Sequence, residues 1–361
     1  MKKKILISTG GSGGHVIPAL NLYNHLKNEF DVTLYTDLRG AKYIPEEIEK
    51  TIFEVKKIPE KKYLFPLKIF FLFFAFIKSL IDLRGNKIDI VISTGGYMSL
   101  PIVLAAKIFK KKIILFEPNS IIGRSNKFLL RFSSYIMCYD QYVTVNSDNQ
   151  TANHSYKSVT IDPILNNCFY PKPNRIEEKD DIFKILIMGG SQASLFFSKY
   201  LKSEVIQLSK KYKIEVTQQL PTGFDIDTYK KEYDKNNIKN NLFFFEENFL
   251  CKKNNFDIAI TRAGASSLAE LAHLNIPFIA IPFPHATDNH QYLNAKRYYD
   301  INCCWILEEK NFNSGDIYQI INQIMVNKNE YFEKKKILMK FNENETWENF
   351  NRKIIKFLNE N

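Results

Sequence analysis

Short runs of consecutive apolar residues, each ending in a glycine-bearing turn, punctuate this chain. Lys4-Ile5-Leu6-Ile7 leads into Gly10-Gly11-Ser12, and Lys184-Ile185-Leu186-Ile187-Met188 leads into Gly189-Gly190-Ser191. Asp89-Ile90-Val91-Ile92-Ser93 precedes Gly95-Gly96, and Asp257-Ile258-Ala259-Ile260-Thr261 precedes Gly264. A third pair is Ile113-Ile114-Leu115-Phe116-Glu117-Pro118 and Phe278-Ile279-Ala280-Ile281-Pro282-Phe283-Pro284. Continuous rather than alternating apolar runs predict strands buried on both faces, as in parallel sheets covered by helices. Helical spacing follows the first loop, with Val16, Ala19, Leu20, Tyr23 and Lys27 on a mostly apolar face. The same order occurs twice, which predicts an α/β chain of two Rossmann-like, doubly wound domains. Proline-bearing, charged Tyr170 to Asp181 reads as the linker region. The expected division is 1–163 and 164–341, with a helix over about 342–361 packing back on the first domain.

Composition narrows the class. With 361 residues and 45% hydrophobic content, the chain can build a core in each of two domains. The five cysteines, Cys138, Cys168, Cys251, Cys303 and Cys304, are odd in number and show no metal spacing. The basic start runs into a strand pattern that Gly10 to Gly14 interrupts, unlike a signal peptide. The expectation is a reducing, cytoplasmic compartment with free thiols. A net charge of +11 suits anionic lipid, a phosphorylated substrate or nucleic acid, and equally suits a lysine-rich bias with solvated side chains. The stretch Leu64 to Leu83 contains Lys68 and Lys78, and its unbroken apolar run, Ile69 to Ile77, is too short to span a bilayer. Two readings stand: a helix lying in a membrane interface, with lysines near anionic headgroups, or a buried amphipathic helix.

The glycine turns carry the candidate chemistry, because ligands of open α/β sheets bind at the carboxyl ends of the strands. The loop Gly10-Gly11-Ser12-Gly13-Gly14 lets backbone approach a ligand and opens a helix. A dinucleotide fingerprint fits poorly, with Asp37 the one acidic residue that keeps it open. His15 stands where loop becomes helix, placed either as a general base or as a loop cap. In the second half, Thr261 to Glu270 reads as strand end, tight turn and helix start. The amides of Ala265, Ser266 and Ser267 can hold a diphosphate, and Glu270 can accept hydrogen bonds from a ribose diol or simply complement the helix dipole. His285 to Ala295 is a polar cluster after a strand, fit for sugar hydroxyls, with Thr287 or Asp288 expected as an N-cap.

Together the segments GGSGGHVIPAL (10–20), STGGYMSLP (93–101), FEPNSIIGRSNKFL (116–129), GGSQAS (189–194), TRAGASSLAEL (261–271) and IPFPHATDNHQYLNA (281–295) resemble the MurG family. These are the UDP-N-acetylglucosamine–N-acetylmuramyl-(pentapeptide) pyrophosphoryl-undecaprenol N-acetylglucosamine transferases of peptidoglycan synthesis. The resemblance covers essentially the whole chain. It implies a GT-B glycosyltransferase fold whose two domains face a central cleft. It implies inverting transfer of N-acetylglucosamine from UDP-GlcNAc to the C4 hydroxyl of the N-acetylmuramic acid of lipid I, giving lipid II. His15 matches the candidate base. Ser12, Gly13, Gly14, Asn119, Ser191, the loop near Glu246, Ala265, Ser266, Ser267, Leu268, Ala269, Glu270 and Gln291 match donor-site positions. Leu72, Phe73, Phe76, Lys68 and Lys78 match a membrane-docking patch. The implied partners are UDP-GlcNAc, lipid I and an anionic membrane surface rather than nucleic acid. The implied location is peripheral, on the cytoplasmic face of the cell membrane.

Several positions depart from the family. Its His-Glu-Gln-Asn is Phe116-Glu117-Pro118-Asn119 here, a glycine is Leu100, and its Asn-Pro-Val-Arg is Asp162-Pro163-Ile164-Leu165. The missing arginine is one that contacts donor phosphate in the family. No Asp-x-Asp motif stands beside a strand end, so neither an obligatory metal nor a cofactor is expected. Two rivals remain: a GT-B enzyme with another acceptor, or a 2-epimerase of UDP-N-acetylglucosamine, which the 93–129 motifs oppose; and a degenerate, non-catalytic UDP-sugar-binding protein.

Overall fold

The computed structural model describes residues 2–53, 65–96, 98–139, 157–170, 181–190, 193–246, 248–253, 255–342 and 346–360, without the side chains of 65–69. The chain forms two compact units, Met1–Asn166 with Glu348–Asn361, and Asn167–Trp347.

In the first unit the order is β1 (Lys4–Ser8), α1 (Gly13–Leu26), β2 (Asp31–Asp37), β3 (Lys50–Phe53), α2 (Phe65–Gly85), β4 (Ile90–Ser93), α3 (Ser99–Ile108), β5 (Lys112–Glu117), α4 (Arg124–Leu129), β6 (Tyr135–Cys138) and β7 (Lys157–Thr160). The sheet runs β3-β2-β1-β4-β5-β6-β7, every pairing parallel. β1 and β4 are neighbours although β2 and β3 intervene in sequence, so the strand order reverses between them. Ser8 pairs with Ser93, which starts the loops after β1 and β4 at one level. One sheet face packs Ile5, Ile7 and Ile92 on Val16, Leu20 and Leu26 of α1. The other packs Leu6, Val91 and Leu115 on Ile102, Val103 and Ala106 of α3.

The second unit repeats this plan with β8 (Phe183–Met188), α5 (Leu195–Ser209), β9 (Ile214–Gln219), α6 (Ile226–Lys235), β10 (Lys239–Phe243), α7 (Phe249–Lys252), β11 (Ile258–Thr261), α8 (Ala265–His273), β12 (Phe278–Ala280), α9 (His290–Asp300), β13 (Cys304–Ile306), α10 (Asp316–Val326) and α11 (Asn329–Phe341). Its parallel order, β10-β9-β8-β11-β12-β13, reverses between β8 and β11. The closing helix α12 (Trp347–Glu360) contributes Phe350, Ile354 and Leu358 to the first unit's core. His25 of α1 fastens it there: its Nδ1 lies 2.6 Å from Asn351 Oδ1, and its Nε2 lies 2.9 Å from the Leu165 carbonyl oxygen. Burial lowers His25 to about 4, so the ring is neutral; its one N–H, at Nε2, goes to the Leu165 carbonyl, and Nδ1 is left to accept from the Asn351 amide with its NH2 turned toward the ring.

Two expectations are corrected. Cys168 and Cys251 form a disulfide with Cα atoms 5.5 Å apart, while Cys138, Cys303 and Cys304 are free and buried. The pair is 83 residues apart in sequence and meets only because a 3-10 turn over 167–169 packs beside α7, which spacing along the chain does not reveal. The N-cap of α9 is Asn289, not Thr287 or Asp288, and it makes no side-chain capping bond. Asp288 and Asn289 both take left-handed backbone, at φ 52° and 54°, so a separate turn precedes the helix. Asp and Asn tolerate that region better than other non-glycine residues. Most of the linker region, 171–180, lies outside the described residues.

Candidate active site

In the first unit, three loops at the carboxyl edge interlock around His15. The Nδ1 of His15 lies 2.9 Å from the Thr94 carbonyl oxygen, which can only accept, so Nδ1 carries the proton and Nε2 is the free lone pair. Gly95, at φ +91°, makes room for the ring, since a Cβ there would stand 3.2 Å from both Cε1 and Nδ1. Gly96 lies so close to the first loop that a Cβ would sit 2.8 Å from the Gly10 carbonyl oxygen. Ser12 is the exposed N-cap of α1, its hydroxyl making no capping bond, while Gly13 is buried and Gly14 exposed.

Two buried carboxylates hold these loops. Asp37, at the end of β2, accepts from the Gly11 amide at 3.0 Å and the Gly40 amide at 2.7 Å, and its other oxygen meets Arg39 at 2.9 Å. Burial would raise its carboxyl, but the two amides and Arg39 outweigh burial and hold it below its ordinary value. That carboxylate is spent on the protein, and the dinucleotide reading it kept open ends there. Glu117, at the end of β5, accepts from the Asn119 amide at 3.2 Å and the Asn119 side chain at 2.8 Å, and its second oxygen accepts from Gly123 and Asn126. Asn119 is therefore positioned through Glu117. Leu165, at the place of the missing arginine, is buried at 2% exposure, and its backbone carbonyl serves His25.

In the second unit, α8 begins at Ala265 behind its N-cap Gly264, which makes no side-chain capping bond. An uncapped helix start leaves its first amides for a ligand. Ser266 and Ser267 are half-buried beside it, while Leu268 and Ala269 turn into the core. Glu270 is half-buried on the second turn, and burial, with no hydrogen bond to oppose it among the described residues, pushes its carboxyl up to about 8. Gln291 Oε1 accepts from the Ala263 amide at 3.2 Å and the Phe283 amide at 2.9 Å. Those two donors orient the side chain and leave its Nε2 hydrogens for a ligand. Glu246, on the loop after β10, is exposed and pairs with Lys252 at 2.6 Å. Ser191 lies outside the described residues.

Sequence reasoning passed over two residues here. Gln219 clamps the loop after β8, accepting from Gly189 at 2.9 Å and donating to the Gly190 carbonyl at 2.9 Å. Arg262 is buried and joins three segments: Nη1 donates to the Ile281 carbonyl at 3.2 Å, Nη2 to Ser194 Oγ at 3.0 Å, and Glu309 lies 2.5 Å away. Its position inside the TRAGASS motif was the signal available. The guanidinium serves the fold and is not free for a phosphate.

Of the docking positions, Phe73 is exposed, Leu72 is half-buried, and Phe76 is half-buried against the core. Lys78 is exposed with its Nζ over the Phe53 ring at 4.6 Å. Lys68 belongs to α2, with its side chain outside the described set. The face of α2 that meets solvent is Phe70, Phe73, Phe74, Ile77 and Ile81.

Two doubly wound units of like strand order, with glycine loops at the carboxyl edges and an uncapped helix start in the second, define a GT-B glycosyltransferase. Residues 5–138 match the glycosyltransferase family 28 N-terminal domain, and residues 184–349 match its C-terminal domain. The chain is 42% identical over 362 residues, 100% of both chains, to the UDP-N-acetylglucosamine–N-acetylmuramyl-(pentapeptide) pyrophosphoryl-undecaprenol N-acetylglucosamine transferase of Pelagibacter ubique. It is 32% identical to the protein of that name from Rickettsia canadensis, over 90% of this chain and 91% of that one. The crystal structure of Acinetobacter baumannii MurG superposes with a TM-score of 0.75 at 21% identity, covering 99% of this chain and 100% of that one. The chain belongs to this transferase family, a group of hexosyltransferases within glycosyltransferase family 28.

Proposed function

We propose that the chain transfers N-acetylglucosamine, with inversion, from UDP-GlcNAc to the C4 hydroxyl of the N-acetylmuramic acid of lipid I. The observation that carries this reading is the set of ligand-facing groups left unspent at the family's motif positions. They are the uncapped amides at Ala265, the Glu270 carboxyl, the Gln291 Nε2 and the His15 Nε2. The His15 Nε2 takes the proton of the attacking hydroxyl as its oxygen bonds the anomeric carbon. The bond from that carbon to the UDP oxygen breaks, and the charge developing on UDP falls on the start of α8 and on Ser191. Glu270 accepts from the ribose diol, Gln291 donates to the sugar, and the backbone near Glu246 meets uracil. Ser12, Gly13, Gly14 and Asn119 serve the sugar and diphosphate side.

The exposed α2 face supports a further reading, peripheral docking on an anionic membrane surface. No described helix is long and apolar enough to cross a membrane.

The test combines purified protein, labelled UDP-GlcNAc and a lipid I analogue. Transfer should depend on acceptor, and His15→Ala should lower kcat by about 10²–10⁴-fold, the range for a lost general base. UDP released at a rate independent of acceptor would overturn the reading. Transfer only to a different lipid-linked sugar would keep the fold and replace the acceptor.

A further inference from the structure

At the edge of the first sheet opposite the glycine loops, the amino ends of β1, β4 and β5 frame an open cavity of about 480 Å³. Five lysines line it, Lys2, Lys3, Lys4, Lys87 and Lys112, against one carboxylate, Asp89. Like charges around one cavity repel unless an anion lies among them. Asp89 is already engaged, accepting from the Lys4 backbone amide at 2.8 Å. Lys2 reaches the Asn28 carbonyl, Lys3 reaches the Leu358 and Asn359 carbonyls at 3.1 Å each, and Lys4 lies 3.5 Å from exposed Asp31.

Lys112 differs from these. Its Nζ is shut off from solvent and makes no hydrogen bond among the described residues. Its neighbours are the rings of Tyr135 at 5.2 Å and Phe357 at 5.5 Å. Both rings attract the ammonium through their faces, but they offer it no oxygen acceptor, and an anion would supply one. Burial, and then the charge of Lys3, lower Lys112 to about 8. Several ammonium groups act as point charges, suited to an anion with many acceptor oxygens and more than one negative charge.

We propose that this cavity is a second ligand site, taking a phosphate-bearing anion, with Lys112 turning from the Tyr135 and Phe357 rings to meet it and the other four lysines completing the shell. It lies at the sheet edge away from His15 and Asn119, and it shares no residue with the donor motifs. The phosphate can come from a soluble phosphorylated compound or from a phospholipid headgroup.

The full chain is tested in two arms. In one, inorganic pyrophosphate is titrated calorimetrically with saturating UDP present, so that the donor site is filled. In the other, the protein is sedimented with phosphatidylglycerol vesicles. Lys87→Asn/Lys112→Gln should weaken binding at least tenfold in one arm, and the steepness with salt should fall with the lost contacts. Because Lys112 is packed, Lys87→Asn is the control for folding: Lys87 is exposed at φ 52°, which asparagine tolerates, and a roughly threefold loss is expected. Loss in the pyrophosphate arm identifies a soluble ligand, and loss with vesicles alone identifies a headgroup. Binding unchanged by the lysine substitutions in both arms overturns the site, as does no binding in either.

Discussion

Glu270 concentrates the residue-scale chemistry. A carboxyl that ionises at its ordinary 4.5 when unfolded and at about 8 when folded favours the folded state fully below the lower value. That contribution is lost as pH rises through about 8, because the folded state must then hold a buried charge. A ribose diol donates two hydrogen bonds to the ionised form, so donor binding draws the carboxyl toward ionisation and releases a proton below pH 8. UDP-GlcNAc is the right probe, its phosphates being diesters that do not titrate there. Calorimetry at pH 7 in two buffers of different ionisation enthalpy should report a net proton release on binding, and Glu270→Gln should abolish it. Equal release in the variant would remove Glu270 from the ribose. The place of Glu270 on the helix after the glycine turn was legible in the motif, as was the place of His15 where loop becomes helix. The residues that hold them were not. Asp37, Gln219 and Arg262 act on partners brought together by the sheet, up to 68 residues away, which spacing along the chain does not reveal, while Glu117 acts within its own loop, on Asn119, Gly123 and Asn126.

Among the elements, strands and glycine turns were the most legible, because a buried parallel strand is a continuous apolar run whatever its neighbours. The α2 helix was less so. Its sequence is apolar nearly all round, and only the packing separates the sides: Ala75 and Leu83 enter the core, while Phe70, Phe73, Phe74, Ile77 and Ile81 face solvent. These five recur at helical spacing as one stripe, which is the arrangement of an interfacial helix. The docking test therefore belongs on Phe73 and Phe74, both more than half exposed, rather than on Phe76, whose loss would damage the core. Phe73→Asp/Phe74→Asp should reduce sedimentation with anionic vesicles several-fold and leave thermal stability within about 1 kcal/mol, as for exposed positions. Unreduced sedimentation would return this face to another use.

The whole molecule is two units crossed twice by the chain, and both crossings are tied down in the second unit. Tyr170 follows the first crossing and meets Trp347, at the second, with ring centroids 5.4 Å apart. The same Tyr170 ring packs 5.0 Å from His273, the last residue of the donor-motif helix α8. The disulfide at Cys168 adds a clamp to α7 beside the loop of Glu246. The segment joining the units is thus anchored on the elements proposed to hold the donor, while His15 and Asn119 belong to a unit with a core of its own. UDP should then stabilise one unit selectively. At a hundredfold excess over Kd a ligand adds about 2.7 kcal/mol, and a domain of about 180 residues gains roughly 2–4 °C per kcal/mol. Scanning calorimetry should show two transitions, of which UDP raises one by about 5–10 °C and leaves the other in place. Glu270→Gln should shrink that separation. If UDP lifts both transitions together, either the units unfold as one block or the nucleotide is not held by the second unit alone.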